Sequence, residues 1–158
     1  MSQITRVLVT VAVALTVLVG VVPSHAQFVG GGAPAGAPYQ MYSVTGVAEG
    51  GGLSTVFTCT NAGEVTAAIA VQLFDQNGAA QNNSPALSVP PGGTAQFATL
   101  PVVPFSPDQL LFPVNVFSKG SAKIWANTKK VICSALLANS ANGMASLPVI
   151  SKVKQKGD

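Results

Sequence analysis

Residues 53–59 read LSTVFTC, and this run sets the fold class of the chain. Leu53, Thr55, Phe57 and Cys59 stand at alternate positions, so they share one face of an extended strand. The same period of two recurs at residues 65–75, 94–100, 122–126 and 131–137. Clusters of Gly, Pro and Asn separate these runs. Nowhere among them do apolar residues keep the spacing of an amphipathic helix over eleven residues. The sequence therefore predicts an all-β chain.

The spacing of the β-prone runs predicts the architecture. Eight or nine strands at intervals of roughly 8–12 residues are typical of an antiparallel sandwich or barrel. The run from Leu110 to Val116 also alternates, and Pro113 within it indicates an edge strand. Lys119 and Gly120 are expected to form a turn before the next strand. We predict an antiparallel, Ig-like β-sandwich over residues 42–151.

Two cysteines, Cys59 and Cys133, are the only thiols of the chain. In an exported protein an even number of cysteines indicates a disulfide. Each cysteine lies on the apolar face of its own strand, so one bond could join the two sheets through the core. A loop of 74 residues gives about 4.5 kcal/mol of stabilisation in the chain-entropy account. We predict one inter-sheet disulfide, Cys59–Cys133.

The first 26 residues have the layout of a secretory signal peptide. Met1 to Arg6 is short and carries one positive charge, and Val7 to Val22 is apolar. Small residues then precede Gln27, as at a signal peptidase site. The apolar run is shorter than the roughly 20 residues of a membrane helix, and we expect no membrane span after cleavage. The predicted location is periplasmic or extracellular.

Two further segments flank the predicted domain. Residues 27–41, QFVGGGAPAGAPYQM, are rich in Gly, Ala and Pro and are expected to form a flexible leader. Residues 152–158 are polar and are expected to form a tail.

The charge of the mature chain excludes several classes of function. Residues 27–158 contain no Arg and no His, and seven Lys against five acids give a side-chain charge of +2. A nucleic-acid-binding surface needs a dense basic patch, so we expect no nucleic acid partner. Catalysis by a nucleophile–histidine pair is excluded, because no His remains to act as the base.

The residues around both cysteines resemble a known pattern. FTCTN at residues 57–61, GSAKI at 120–124 and ICSA at 132–135 resemble motifs of small exported bacterial β-sandwich proteins. The resemblance covers Val56 to about Ile150. The resemblance implies a disulfide-linked, Ig-like β-sandwich. It implies no biochemical activity.

The carboxylates and the possible metal ligands of the chain form no sequence pattern that predicts a catalytic or metal site. A glycoside hydrolase needs two carboxylates about 5–9.5 Å apart. Glu49, Glu64, Asp75 and Asp108 fall in separate turns, which leaves this reaction as a distant alternative. Two sulfurs without any His do not make a metal site, and no dinucleotide or phosphate-binding fingerprint is present. We predict no catalytic residue, no metal and no cofactor.

Trp125 is the residue that most suggests binding. Strand alternation places it with Lys123 and Asn127, on the face opposite Ile124. An exposed Trp offers a sugar ring or a protein a large apolar surface and one hydrogen-bond donor. The alternative is a side chain covered by a loop or by the stem of Lys123.

The low charge also bears on assembly. Charged residues make up 8 % of the chain, so strand edges have few charged side chains to repel another strand. We predict a non-enzymatic exported binding or structural module of the cell envelope, whose partner is an unknown protein or carbohydrate. Self-assembly into a homo-oligomer through strand edges is the alternative.

Overall fold

The residues that the structure describes form ten strands in two sheets. The computed structural model describes residues 32–82, 84–139, 141 and 143–152, so the predicted signal peptide, residues 27–31 of the leader and residues 153–158 of the tail lie outside it. The strands are β1 (Tyr39–Glu49), β2 (Leu53–Asn61), β3 (Ala67–Phe74), β4 (Leu87–Val89), β5 (Thr94–Ala98), β6 (Gln109–Leu110), β7 (Phe117–Ala126), β8 (Val131–Asn139), β9 (Met144–Leu147) and β10 (Val149–Ser151).

The strands pair in two sheets of five. The first sheet has the order β10-β1-β7-β3-β4, and the second has the order β6-β5-β2-β8-β9. All pairs are antiparallel except the short contact between β5 and β6. The all-β antiparallel sandwich predicted from the sequence is confirmed.

The core lies between the sheets and follows the alternation in the sequence. Thr55, Phe57 and Cys59 of β2 are fully buried, as their shared face predicts. β3 is buried on both faces except at Ala68, because further segments cover its outer side. The largest fully buried apolar side chains of the first sheet are those of Val44, Val47, Ile69, Val71, Leu73, Val89 and Ile124.

The disulfide is present, and its place in the fold differs from the predicted one. Cys59 and Cys133 are bonded, with their Cα atoms 4.1 Å apart. Their strands, β2 and β8, are neighbours in the second sheet, and the two residues lie directly opposite each other. The bond therefore lies within one sheet rather than between the two, unlike the B–F bond of antibody domains. The alternation within one strand predicts which of its faces is buried, but it does not predict which strand pairs with it.

A hairpin of three glycines connects the two sheets. Gly50 and Leu53 exchange backbone hydrogen bonds of 3.1 and 3.0 Å around Gly51 and Gly52. Both central residues have positive φ, of 61° and 81°, which glycine adopts at no steric cost. This turn carries the chain from β1 in the first sheet to β2 in the second.

Side-chain hydroxyls complete the hydrogen bonding between the sheets. The β1–β7 register shifts between Val47 and Glu49, next to Ala48. The Thr55 hydroxyl accepts a hydrogen bond from the Ala48 N–H at 3.0 Å and donates one to the Ala48 carbonyl at 2.9 Å. The Tyr42 hydroxyl on β1 donates to the Val131 carbonyl on β8. Buried backbone groups are thereby satisfied without a strand partner.

Three boundaries differ from the sequence-based expectation. β1 begins at Tyr39, inside the predicted leader, and Pro34 and Ala37 before it are buried. Residues 111–116 form no strand, because Phe112 has φ of 36° and breaks the extended run. Lys119 and Gly120 lie inside β7 rather than in a turn. A Cβ at Gly120 would lie 2.5 Å from the Phe74 carbonyl oxygen, so glycine is needed there for close packing.

Candidate functional site

The predicted Trp125 surface is covered in the structure. Trp125 is only 8 % exposed, and it packs with Ala37 and Ala70, with Ala86 at the margin. Alternation did place it on the outer face of the first sheet, but residues 32–38 lie over it. The prediction of an exposed aromatic platform is therefore wrong, and the covered alternative is correct.

The two residues predicted to flank Trp125 have contacts of their own. The Lys123 ammonium lies 4.7 Å from the centroid of the Phe74 ring, a cation–π distance. The Asn127 Oδ1 accepts a hydrogen bond from the Ala68 N–H at 2.8 Å. Asn127 thus fastens the end of β7 to β3.

The four carboxylates examined as possible catalysts do not share one site. Glu49 and Asp75 follow strands that end beside the glycine hairpin, whereas Glu64 lies at the opposite end of the sandwich. The Asp75 Oδ1 accepts hydrogen bonds from the N–H groups of residues 77 and 79, which makes it a turn residue. The Asp108 Oδ2 accepts one from the N–H of residue 96 at 2.8 Å. Asp75 and Asp108 thus each accept a backbone hydrogen bond, and Glu64 lies at the other end of the sandwich from Glu49, so the four carboxylates form no single cluster.

The strongest candidate surface lies at the hairpin end of the sandwich. The connection of residues 99–116 between β5 and β7 contains only the two-residue strand β6. Four of its side chains, Val103, Phe112, Val114 and Val116, are between 71 % and 82 % exposed. We call these four residues the hairpin-end surface. Long connections of this kind are usually functional when they stand on a rigid scaffold.

Backbone contacts hold the hairpin-end surface in place. The Leu111 N–H donates to the Ala98 carbonyl of β5 at 2.9 Å, and the Val114 N–H donates to the Gln81 carbonyl at 2.7 Å. Residues 111–114 therefore bridge from the second sheet to the segment beside the first. Val116 lies against Gly50, where an added Cβ would come within 2.1 Å of its Cγ1. The apolar side chains are thus displayed from a fixed backbone.

A cleft adjoins the hairpin-end surface. It has a volume of about 280 Å³ and is lined by Gly52, Leu53, Ser54 and residues 100–103. The buried Ser54 hydroxyl donates to the Leu100 carbonyl at 2.9 Å, so this polar group is already satisfied. The cleft is small for a cofactor, whose sites usually span about 300–1,000 Å³. It is large enough for an apolar side chain.

Sequence reasoning missed the hairpin-end surface. Residues 110–116 alternate like a strand, and alternation implies that half of the side chains face the core. Val114 and Val116 belong to the alternating set of the predicted edge strand, yet both are exposed. Pro113 was the available signal, because a proline in a β-prone run argues against a central strand.

A second candidate surface is the edge strand β9. Among the described residues, β9 pairs with β8 on one side only, and residues 143–151 carry no charge. Met144, Ala145 and Ser146 are exposed. An uncharged edge with free backbone groups can accept another strand.

Neither metal-binding clusters nor membrane helices are found in the part of the chain that the structure describes. No group of three or more His, Cys, Asp or Glu side chains there could hold a metal ion. No helix of these residues is long and apolar enough to cross a membrane. Comparisons with protein-family models, curated proteins and solved structures found no match to the chain.

Proposed function

We propose that this protein is an exported, non-enzymatic binding module of the cell envelope, and that it binds a protein partner through the hairpin-end surface. The observation that carries the proposal is the exposure of Val103, Phe112, Val114 and Val116 on one connection. Large apolar side chains that are exposed together on one connection support an interaction site. A protein partner is favoured over a carbohydrate because Trp125, the candidate sugar platform, is covered.

Export is part of the same proposal. The layout of residues 1–26 supports a cleaved signal peptide. The Cys59–Cys133 bond is consistent with an oxidising compartment, either the periplasm or the outside of the cell. We retain the Ig-like description only in its loose sense of two packed antiparallel sheets with a core disulfide.

The backbone at Phe112 supports a binding role for the connection. A non-glycine residue at positive φ is uncommon and costs about 1–3 kcal/mol, so the surrounding structure must hold it there. The hydrogen bonds of Leu111 and Val114 on either side provide that restraint. The result is an aromatic side chain held in solvent, as binding anchors are.

The first test replaces two side chains of the hairpin-end surface. In the double variant Phe112→Ser/Val114→Ser we expect partner capture to fall by about tenfold or more, since truncating an anchor costs about 2 kcal/mol. The exported protein is cross-linked in the cells that produce it, and captured proteins are quantified by mass spectrometry. Stability should stay within about 0.5 kcal/mol, because both side chains are exposed.

The matched control is Val65→Ser, an equally exposed valine in the turn between β2 and β3. It should capture the same partner in the same amount as the wild type. Equal capture by the double variant and the wild type would refute the proposed surface.

A second candidate function is self-assembly through β9, favoured by its uncharged free edge. Ser146→Lys places a charge on this edge, and we expect it to weaken self-association by about tenfold or more. Light scattering over a concentration series measures the effect. Ser134→Lys is the control, because Ser134 is exposed on β8, inside the sheet. A strictly monomeric wild type at high concentration would rule out this assembly.

A further inference from the structure

The outer face of the first sheet contains a Trp whose apolar contacts are with small residues. Trp125 is the single Trp of the chain. Ala70 of β3 lies opposite it in the sheet, and Ala37 packs on it from residues 32–38. We call residues 32–38, GAPAGAP, the strap. Because alanine side chains are small, the broad apolar face of the indole supplies most of the surface of this contact.

The strap is held by apolar contact and by little else. Its only hydrogen bond among the described residues is internal, from the Ala37 N–H to the Pro34 carbonyl at 3.1 Å. Pro34 and Ala37 are buried, whereas Ala35 and Gly36 between them are exposed. A segment with few buried contacts and no hydrogen bonds to the sheet opens at low cost in free energy.

Two buried polar atoms on this face of the sheet lack partners among the described residues. The Trp125 Nε1 and the Gln72 Oε1 have no hydrogen-bond partner among the described residues, although both side chains are more than nine-tenths buried. Trp125 pairs with Ala70 and Gln72 pairs with Lys123, so Trp125 and Gln72 are diagonal neighbours on one face. Such neighbours are about 7–8 Å apart. One atom is a donor and the other an acceptor, which a peptide backbone can satisfy together.

We propose that the Trp125 face is a peptide-binding site for short segments rich in Ala and Pro that form a turn, and that the strap is the ligand that occupies it in cis. The strap shows which chemistry the face accepts, namely an alanine methyl at the end of a turn that begins at Pro34, packed against an indole. A peptide that also reaches Trp125 Nε1 and Gln72 Oε1 gains hydrogen bonds that the strap does not make. The proposal is independent of the hairpin-end surface.

The first experiment opens the strap. Ala37→Glu puts a carboxylate in the buried position, and Ala35→Glu puts the same charge in the exposed position of the same strap. Because burying a charge is costly, we expect Ala37→Glu to raise the open fraction by about tenfold or more, and Ala35→Glu to leave it unchanged. Acrylamide quenching of Trp125 fluorescence measures the opening, and chemical denaturation verifies that both variants stay folded.

The second experiment adds the strap in trans. A blocked synthetic peptide of residues 32–38 is added to the Ala37→Glu protein at about millimolar concentration, the scale at which a short tether presents its own segment. We expect saturable protection of Trp125 from the quencher. The same peptide carrying the Ala37→Glu change should give no protection.

Two results would overturn the proposal. If Ala37→Glu leaves quenching as in the wild type, the strap does not control access to Trp125. If quenching rises but the peptide of residues 32–38 gives no protection, the strap is a structural cover and the face is not a peptide site. Either result leaves the capture test on the hairpin-end surface unaffected.

Discussion

Asn61→Leu is expected to lower the free energy of unfolding by about 3 kcal/mol or more, because three backbone groups lose their partner and each such loss costs about 1–3 kcal/mol. Asn61 is fully buried. Its Nδ2 donates to the carbonyls of Val65 at 2.8 Å and Val89 at 3.0 Å, and its Oδ1 accepts from the Gly63 N–H at 2.9 Å. One amide therefore ties the end of β2 to two neighbouring segments. Urea denaturation with the disulfide intact measures the change.

The control for this prediction is Asn77→Leu. Asn77 is exposed in the turn after β3, so the same change should alter stability by less than about 0.5 kcal/mol. Equal stabilities for Asn61→Leu and the wild type would mean that the amide hydrogen bonds contribute nothing net.

Removal of the disulfide in the double variant Cys59→Ala/Cys133→Ala is expected to lower the free energy of unfolding by about 2–5 kcal/mol. β2 and β8 pair over nine residues, so the folded strands remain in register without the bond. The effect therefore acts mainly on the unfolded chain, which becomes less restricted. We also expect the denaturant slope to rise, because a less compact unfolded state exposes more surface.

Reductant provides the internal control for this second prediction. Dithiothreitol should destabilise the wild type towards the value of the double variant and should leave the double variant itself unchanged. A double variant as stable as the oxidised wild type would contradict the prediction. It would show that strand pairing alone holds residues 59 and 133 together.

Much of the fold follows from local patterns. The alternation in residues 53–59 and 131–137 placed their inward faces correctly, since a strand's side chains alternate whatever its partners are. Residues 75–78, DQNG, form a turn with φ of 79° at Gly78, as Asp and Gly at these positions favour. The strand predicted over residues 110–116 was wrong, because residues 111–116 alternate in sequence but pair with no other strand in the structure.

The candidate site was less predictable than the fold. Trp125 was assigned to the correct face, but its exposure depended on residues 32–38, which look featureless in the sequence. Small residues give no amphipathic pattern, and they pack well only because an indole lies beneath them. The hairpin-end surface likewise depends on where residues 99–116 cross from one sheet to the other.

The sequence by itself determined the all-β class, the inward faces of the main strands, the cysteine pair and the near absence of charge. These properties depend on residue type and on neighbours along the chain, which the sequence displays directly. Only the tertiary structure decided that Cys59 and Cys133 share one sheet, that Trp125 is covered and that Phe112 is exposed. Those outcomes depend on which distant segments pair or pack, and many such pairings satisfy the same alternation.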